Sequence, residues 1–170
     1  MNTQRPIRRV NGSIRAENGK GTVRMEDVYD TDIADLWSAV TEPARLSRWI
    51  AEVTGDLRPG GRFQARFTSS WEGPGRVDVC ETHRRILATM GVGSDEETVI
   101  EATFFEEDGK TRLVIEERGL PLDEVAVHGA GWQAHVEDLA TYLDGREPGS
   151  WKERWRELSP RYAELAEQLA

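Results

Sequence analysis

The period of the apolar positions changes along the chain, and each change marks an element. "SIRAENGKGTVRMEDVY" reads as a hairpin. Asn18-Gly19 is its turn, because the favoured two-residue turns need positive φ at both central positions. Val23 and Met25 continue into an opening strand. In "TDIADLWSAVTEP" the period becomes helical, with Ile33, Leu36, Trp37 and Val40 at i, i+3, i+4 and i+7. Thr31 or Asp32 can cap this helix and Pro43 ends it. Thr41 is placed to cap a second short helix, "PARLSRWI".

A Pro59-Gly60-Gly61 turn then feeds "RFQARFTSSW". Phe63, Ala65, Phe67 and, if the strand continues, Trp71 share one face. Arg62, Gln64 and Arg66 share the other, so this sheet has a dry face and a wet face. "WEGPG" reads as a loop or hairpin end. "RVDVCET", "RILATMGV", "ETVIEATFFEE" and "TRLVIEERG" read as four more antiparallel strands, with Asp108-Gly109 turning the last hairpin. Links this short make a meander, not parallel units. From about Leu122 the period is helical again. Trp132, Val136, Leu139 and Leu143 form one stripe with His135 at its margin, and Gly145 is the C-cap. Trp151, Trp155 and Leu158 give a further amphipathic helix that Pro160 is expected to break or kink.

This order predicts an α+β fold with a curved antiparallel sheet, two short helices after the first strand, and a long C-terminal helix on the dry face. Where a curved sheet draws away from its helix, a cavity opens between them.

Composition narrows the setting. The 170 residues fit one domain, and 38% hydrophobic with 31% charged residues is globular composition. No apolar run approaches the length of a membrane span, and the basic start "MNTQRPIRRVNGS" lacks the apolar segment of a secretory signal. A single cysteine, Cys80, allows neither an intrachain disulfide nor a thiolate metal cluster, so the cytoplasm is the expected location. A net charge of −9 opposes phosphate backbones, and Arg5, Arg8 and Arg9 cluster on a terminal tail. No nucleic-acid or membrane partner is expected. The expected organisation is a flexible basic tail at 1–12, a domain at 13–145, and a helical extension at 146–170. That extension packs on the domain or forms a homodimer contact.

Four stretches carry a family resemblance: "DLWSAVTEPARLSRWI", "GDLRPGGRF", "TRLVIEERGLP" and "GAGWQAHVEDLATYLDG". From roughly Thr22 to Gly145 the chain resembles the START-like superfamily. Within it, the chain is similar to homologues of the activator of the ninety-kilodalton heat-shock chaperone ATPase. The resemblance implies a helix-grip fold with a hydrophobic cavity between sheet and C-terminal helix. Superfamily relatives bind lipids, hormones and polyketides, a few are cyclases or hydrolases, and the family takes its name from a co-chaperone.

Strand parity and the family register together put Phe63, Phe67, Met90, Ile100, Phe104, Leu113 and Ile115 on the concave face. Trp71 extends that wall, Trp132 and Val136 face it from the helix, and Trp49 stands near the mouth. Glu117 continues the parity of Leu113 and Ile115 and points inward, just before a gate loop at Gly119-Leu120-Pro121. A carboxyl in an apolar pocket has a raised pKa and can act as acid, base or ligand anchor. His128 and His135, two turns apart on the Trp132 side, can set ligand polarity. Their spacing is not the four-residue step of a helical zinc pair, and His83 sits in a strand-end loop, so no metal is expected. Cys80 has parity opposite to Val77 and Val79 and no histidine nearby in sequence. No serine lies in a nucleophile-elbow pattern, "RPGGRF" lacks the spacing of a phosphate cradle, and no cofactor is expected. The leading expectation is binding of a small, mostly hydrophobic molecule, with Glu117 and a histidine orienting it. The alternatives are a cyclase- or hydrolase-type enzyme with Glu117 as acid/base, and a co-chaperone-like interaction module.

Overall fold

The computed structural model describes residues 10–169. The strands are β1 (Asn11–Glu17), β2 (Lys20–Tyr29), β3 (Ala51–Gly55), β4 (Arg62–Phe67), β5 (Glu72–Glu81), β6 (Arg85–Met90), β7 (Thr98–Glu107) and β8 (Lys110–Leu120). The helices are α1 (Ile33–Thr41), α2 (Pro43–Leu46), α3 (Val125–Leu143) and α4 (Trp151–Glu167). All eight strands form one antiparallel sheet in the order β1-β2-β8-β7-β6-β5-β4-β3. It is a curved, open sheet with the helices on its dry face. The wet face carries ion pairs across strands, among them Arg112 with Glu26, Arg118 with Glu101 and Arg15 with Glu116. None of the helices described is long and apolar enough to cross a membrane.

The local signals act as their chemistry requires. Asn18 and Gly19 take φ of 52° and 76°, and Asp108 and Gly109 take 49° and 78°, so both hairpins close on left-handed pairs. The Asp32 carboxylate accepts the Asp35 backbone N–H at 2.8 Å and caps α1. Thr41 does not cap α2. Its hydroxyl donates instead to the Trp37 carbonyl at 2.7 Å, and Glu42 holds the cap position without a side-chain bond.

Four further sequence expectations are corrected. Asn11 and Gly12, assigned to the tail, pair with Glu26 and Met25 as strand, while Arg5, Arg8 and Arg9 lie outside the described residues. "WEGPG" is not a loop, because β5 starts at Glu72. Gly75 stays in the strand since the Phe63 ring lies on it, and a Cβ there would sit 2.3 Å from that ring. The strand β8 runs through Leu120, so the expected gate is sheet up to that residue. Pro160 does not break α4. Both Pro160 and Arg156, whose carbonyl loses its partner, are exposed, and water can meet that carbonyl.

The cavity follows from uneven packing of α3. At the β1–β2 edge it lies close, because glycines remove the side chains in between. A Cβ on Gly21 would be 2.8 Å from Val125, and one on Gly129 would be 3.0 Å from Ile14 of β1 as well as 2.5 Å from Tyr162 of α4. Toward β4–β7 the helix draws away, and α4 covers its outer side. Hence Ala130, Gly131, Ala134 and Ala140 are buried as well as the Trp132–Val136–Leu139 stripe.

Candidate functional site

Two chambers open between the sheet and α3. The inner one has a volume of about 190 Å³ and an almost wholly apolar lining that includes Trp49, Phe63, Phe67, Ile115 and Trp132. The outer one has a volume of about 330 Å³ and includes Trp71, Glu117 and His128. Phe67, Met90, Ile100 and Trp132 are walls of both. Trp49 is fixed by its indole N–H, which donates to the Ala39 carbonyl at 3.0 Å. Trp71 lies in the turn after β4, beyond the strand, and meets Phe67 edge to face at 5.4 Å.

Four expected cavity residues lie elsewhere, and two of them, Leu113 and Val136, are fully packed core beside Met25 and Tyr29. Phe104 is core, packed edge-on against Trp37 at 5.1 Å, because β7 has by then passed under α1. His135 faces neither chamber. It points along α3 toward α4 and stacks on Trp151 at 5.2 Å.

Glu117 is the polar centre. It is 6% exposed, and its carboxylate has three partners. Thr98 Oγ1 donates to Oε2 at 2.8 Å, Trp132 Nε1 donates to Oε1 at 2.9 Å, and His128 Nδ1 stands 3.1 Å from Oε1. The raised pKa expected from an apolar pocket is not found. Burial pushes the carboxyl up, but the bond and charge of His128, then the bonds from Trp132 and Thr98, outweigh it and hold the pKa below the ordinary value. The counterpart is seen at His128. Burial pushes it down, and the Glu117 bond and charge, with Glu124 beyond, carry it above 6.5. The two form an ion pair at the chamber wall, with the His128 side chain still 31% exposed.

Several site residues escaped the sequence reading. Thr98 shares the β7 parity of Ile100, a signal sufficient to place it inward. Glu72, Glu96 and Glu124 border the outer chamber from loops and a strand end, where no periodicity speaks. Cys80 lines the inner chamber with Val77, against the parity expected from sequence. The cause is a β-bulge between Val77 and Val79, which puts Val77 opposite Ala88 and Cys80 opposite Ile86, so Val79 turns outward. No cluster of three or more His, Cys, Asp or Glu suited to a metal ion occurs among the described residues.

Known proteins agree with this architecture. The crystal structure of CalU16 from Micromonospora echinospora superposes with a TM-score of 0.77 at 23% identity, covering 94% of this chain and 98% of that one. Its solution structure gives 0.80 at 22%, covering 98% and 100%. DynU16, described as a putative protein in the dynemicin biosynthetic locus, gives 0.69 at 26%, covering 75% of this chain and 48% of that one. No curated protein sequence matches the chain. Residues 30–144, from the end of β2 through α3, match the family model of activator of Hsp90 ATPase homolog 1-like proteins. With its helix-grip sheet, its glycine-seated α3 and this match over most of its length, the chain belongs to that family.

Proposed function

We propose that the protein binds one small, mostly hydrophobic molecule between the sheet and α3, without a need for catalysis. The observation that carries this reading is the pairing of an apolar inner chamber with an outer chamber holding one buried ion pair. Ligand sites are commonly apolar hollows with a few fixed polar groups, and their volumes run to roughly 300–1,000 Å³. The inner chamber takes the apolar body. Glu117 and His128 orient the polar end, and because Thr98 and Trp132 already hold Glu117, that orientation is set before the ligand arrives. The place of DynU16 in a biosynthetic locus supports a small organic molecule as the ligand class.

Native mass spectrometry of freshly purified protein, with a denatured extract run in parallel, tests the reading. An extra mass that denaturation releases, and that Ala88→Leu abolishes by filling the inner chamber, is the expected result. A mass retained unchanged in Ala88→Leu would place the ligand elsewhere and refute the reading.

A second reading is an enzyme acting on such a ligand. It is favoured by one feature, a partly exposed imidazole whose Nδ1 is held by a buried carboxylate. That arrangement orients a histidine for proton transfer through its other nitrogen. Loss of turnover in Glu117→Gln with ligand affinity retained would favour it over simple binding.

A further inference from the structure

A further hollow of about 440 Å³ lies between α3, α4 and the turn after β4, and shares Ser69, Trp71, His128 and Trp132 as a common wall with the outer chamber. One wall is a run of three rings. Trp155 and Trp151 are nearly parallel, 16° apart with centroids 6.1 Å apart, and Trp151 and His135 follow at 28° and 5.2 Å. Each indole N–H donates to a carbonyl of α3, Trp151 to Gly131 and Trp155 to Val127, both at 3.2 Å. Those bonds fix the ring planes. Trp151 reaches α3 because Gly131 has no side chain, and a Cβ there would be 3.2 Å from the indole.

His135 ends the run. It is 5% exposed, and its Nδ1 has no hydrogen-bond partner among the described residues. Core packing alone does not account for an imidazole here. Phenylalanine would fill the same space without the penalty of an unpaired buried nitrogen. The charge around this hollow also differs from the rest of the molecule. Glu72, Glu96, Glu117 and Glu124 border the outer chamber, whereas no carboxylate borders this hollow and Lys152 stands at its rim. The turn contributes hydroxyls from Thr68, Ser69 and Ser70.

We propose that this hollow is a second ligand site, for a planar aromatic molecule bearing a phenolic hydroxyl. The ring lies against the Trp151–Trp155 wall, the hydroxyl meets the His135 imidazole, and partial negative charge on the oxygen is tolerated because the polar groups at the lining are Lys152, His128 and the hydroxyls of Thr68, Ser69 and Ser70, with no carboxylate among them. The Trp151–Trp155 wall and His135 line neither sheet–α3 chamber, so this ring-binding face is distinct from them. Its volume suits a bicyclic or tricyclic ring system, within the ordinary range of ligand pockets.

The test is titration of the 170-residue protein with 2-naphthol, naphthalene and 2-decalinol, followed by the indole N–H signals in ¹⁵N–¹H spectra. Trp49 lines the inner chamber and Trp155 this hollow, so the signals report which site is filled. The expected result is movement of the Trp151 and Trp155 signals by 2-naphthol, with Trp49 still. The saturated analogue 2-decalinol should bind about tenfold more weakly, as loss of aromatic stacking predicts. Trp155→Leu, a change at a partly exposed residue, should weaken 2-naphthol by a similar factor. His135→Phe should erase the advantage of 2-naphthol over naphthalene. Movement of Trp49 alone, equal binding of 2-naphthol and 2-decalinol, or no movement up to the solubility limit would each overturn the proposal.

Discussion

Replacing His135 by phenylalanine should flatten the acid sensitivity of this fold by a calculable amount. The imidazole is buried, with burial as the cause that drives its pKa from 6.5 to about 3. In the unfolded chain it titrates near 6.5. The unfolded state therefore binds a proton that the folded state excludes, and stability falls as pH drops from about 6.5 toward about 3. At about 1.4 kcal/mol per pH unit, the whole effect is about 5 kcal/mol, and the part lost between pH 7 and pH 5 is about 2 kcal/mol. Phenylalanine keeps a ring against Trp151 and Trp132 but cannot titrate. Urea unfolding followed by tryptophan fluorescence at pH 7, 6 and 5 measures this. The wild type should lose about 2 kcal/mol more than His135→Phe between pH 7 and pH 5, with the denaturant slope unchanged. Asp138 works in the opposite direction. Burial, then the charge of Glu137, raises its carboxyl to about 7, so it takes up a proton in the folded state and adds stability as pH falls. It is present in both proteins and cancels in the difference. Equal losses in the two proteins would mean that the folded state protonates His135, and would refute the account of a neutral, unpaired imidazole.

Glu117→Gln should lower the pKa of His128, since burial persists while the Glu117 bond and charge are gone and only the weaker charge of Glu124 still raises it. An NMR titration of the His128 ring reads this directly. In the wild type, the stability that His128 contributes is present below about 6.5 and fades as pH rises through its raised folded value; the variant should lose that contribution. Gly12→Ala should destabilise by about 1–3 kcal/mol in chemical unfolding, as overpacking does. Its Cβ would fall 2.1 Å from Tyr162 Oη, displacing a fully buried ring from its bond to Gln133 Oε1. Pro160→Ala should raise the thermal midpoint, with a gain of about 1–2 kcal/mol. That is less than the roughly 3 kcal/mol helix-interior penalty, because the Arg156 carbonyl already meets water and proline restricts the unfolded chain. A lowered midpoint would show that proline's restriction of the unfolded chain outweighs the missing helix bond.

Much of the architecture is legible in the chain because its signals are local. The paired φ-positive turns, the helical period of Ile33 to Val40, and the alternation of Phe63, Ala65 and Phe67 each need only neighbouring residues. The site is legible where parity holds without interruption: Met90, Ile100, Ile115 and Glu117 fall where alternation puts them. Parity fails at the Val77–Val79 bulge, whose extra residue reverses Cys80, while at Phe104 parity holds but the inward side meets α1 rather than open space. Glycines misled in "WEGPG" because their reason lies across the sheet, in the Phe63 ring that Gly75 admits.

The sequence by itself determined the elements, their order, the dry face of the sheet, and the inward carboxylate on the last strand. These follow from periods of 2 and 3.6 and from turn chemistry, which any short window of the chain expresses. Only the tertiary structure decided the charge state of that carboxylate, the separation of His128 from His135, and the hollow under α4. Each depends on side chains brought together from distant segments. Thr98, His128 and Trp132 turn Glu117 from an acid raised by burial into one half of an ion pair. Trp151, from beyond the long helix, draws His135 away from the sheet–α3 chambers and into the hollow beside α4. A local pattern records which way a side chain points, but the energy of a buried charge is set by what stands opposite it, and that is fixed only when the chain has closed.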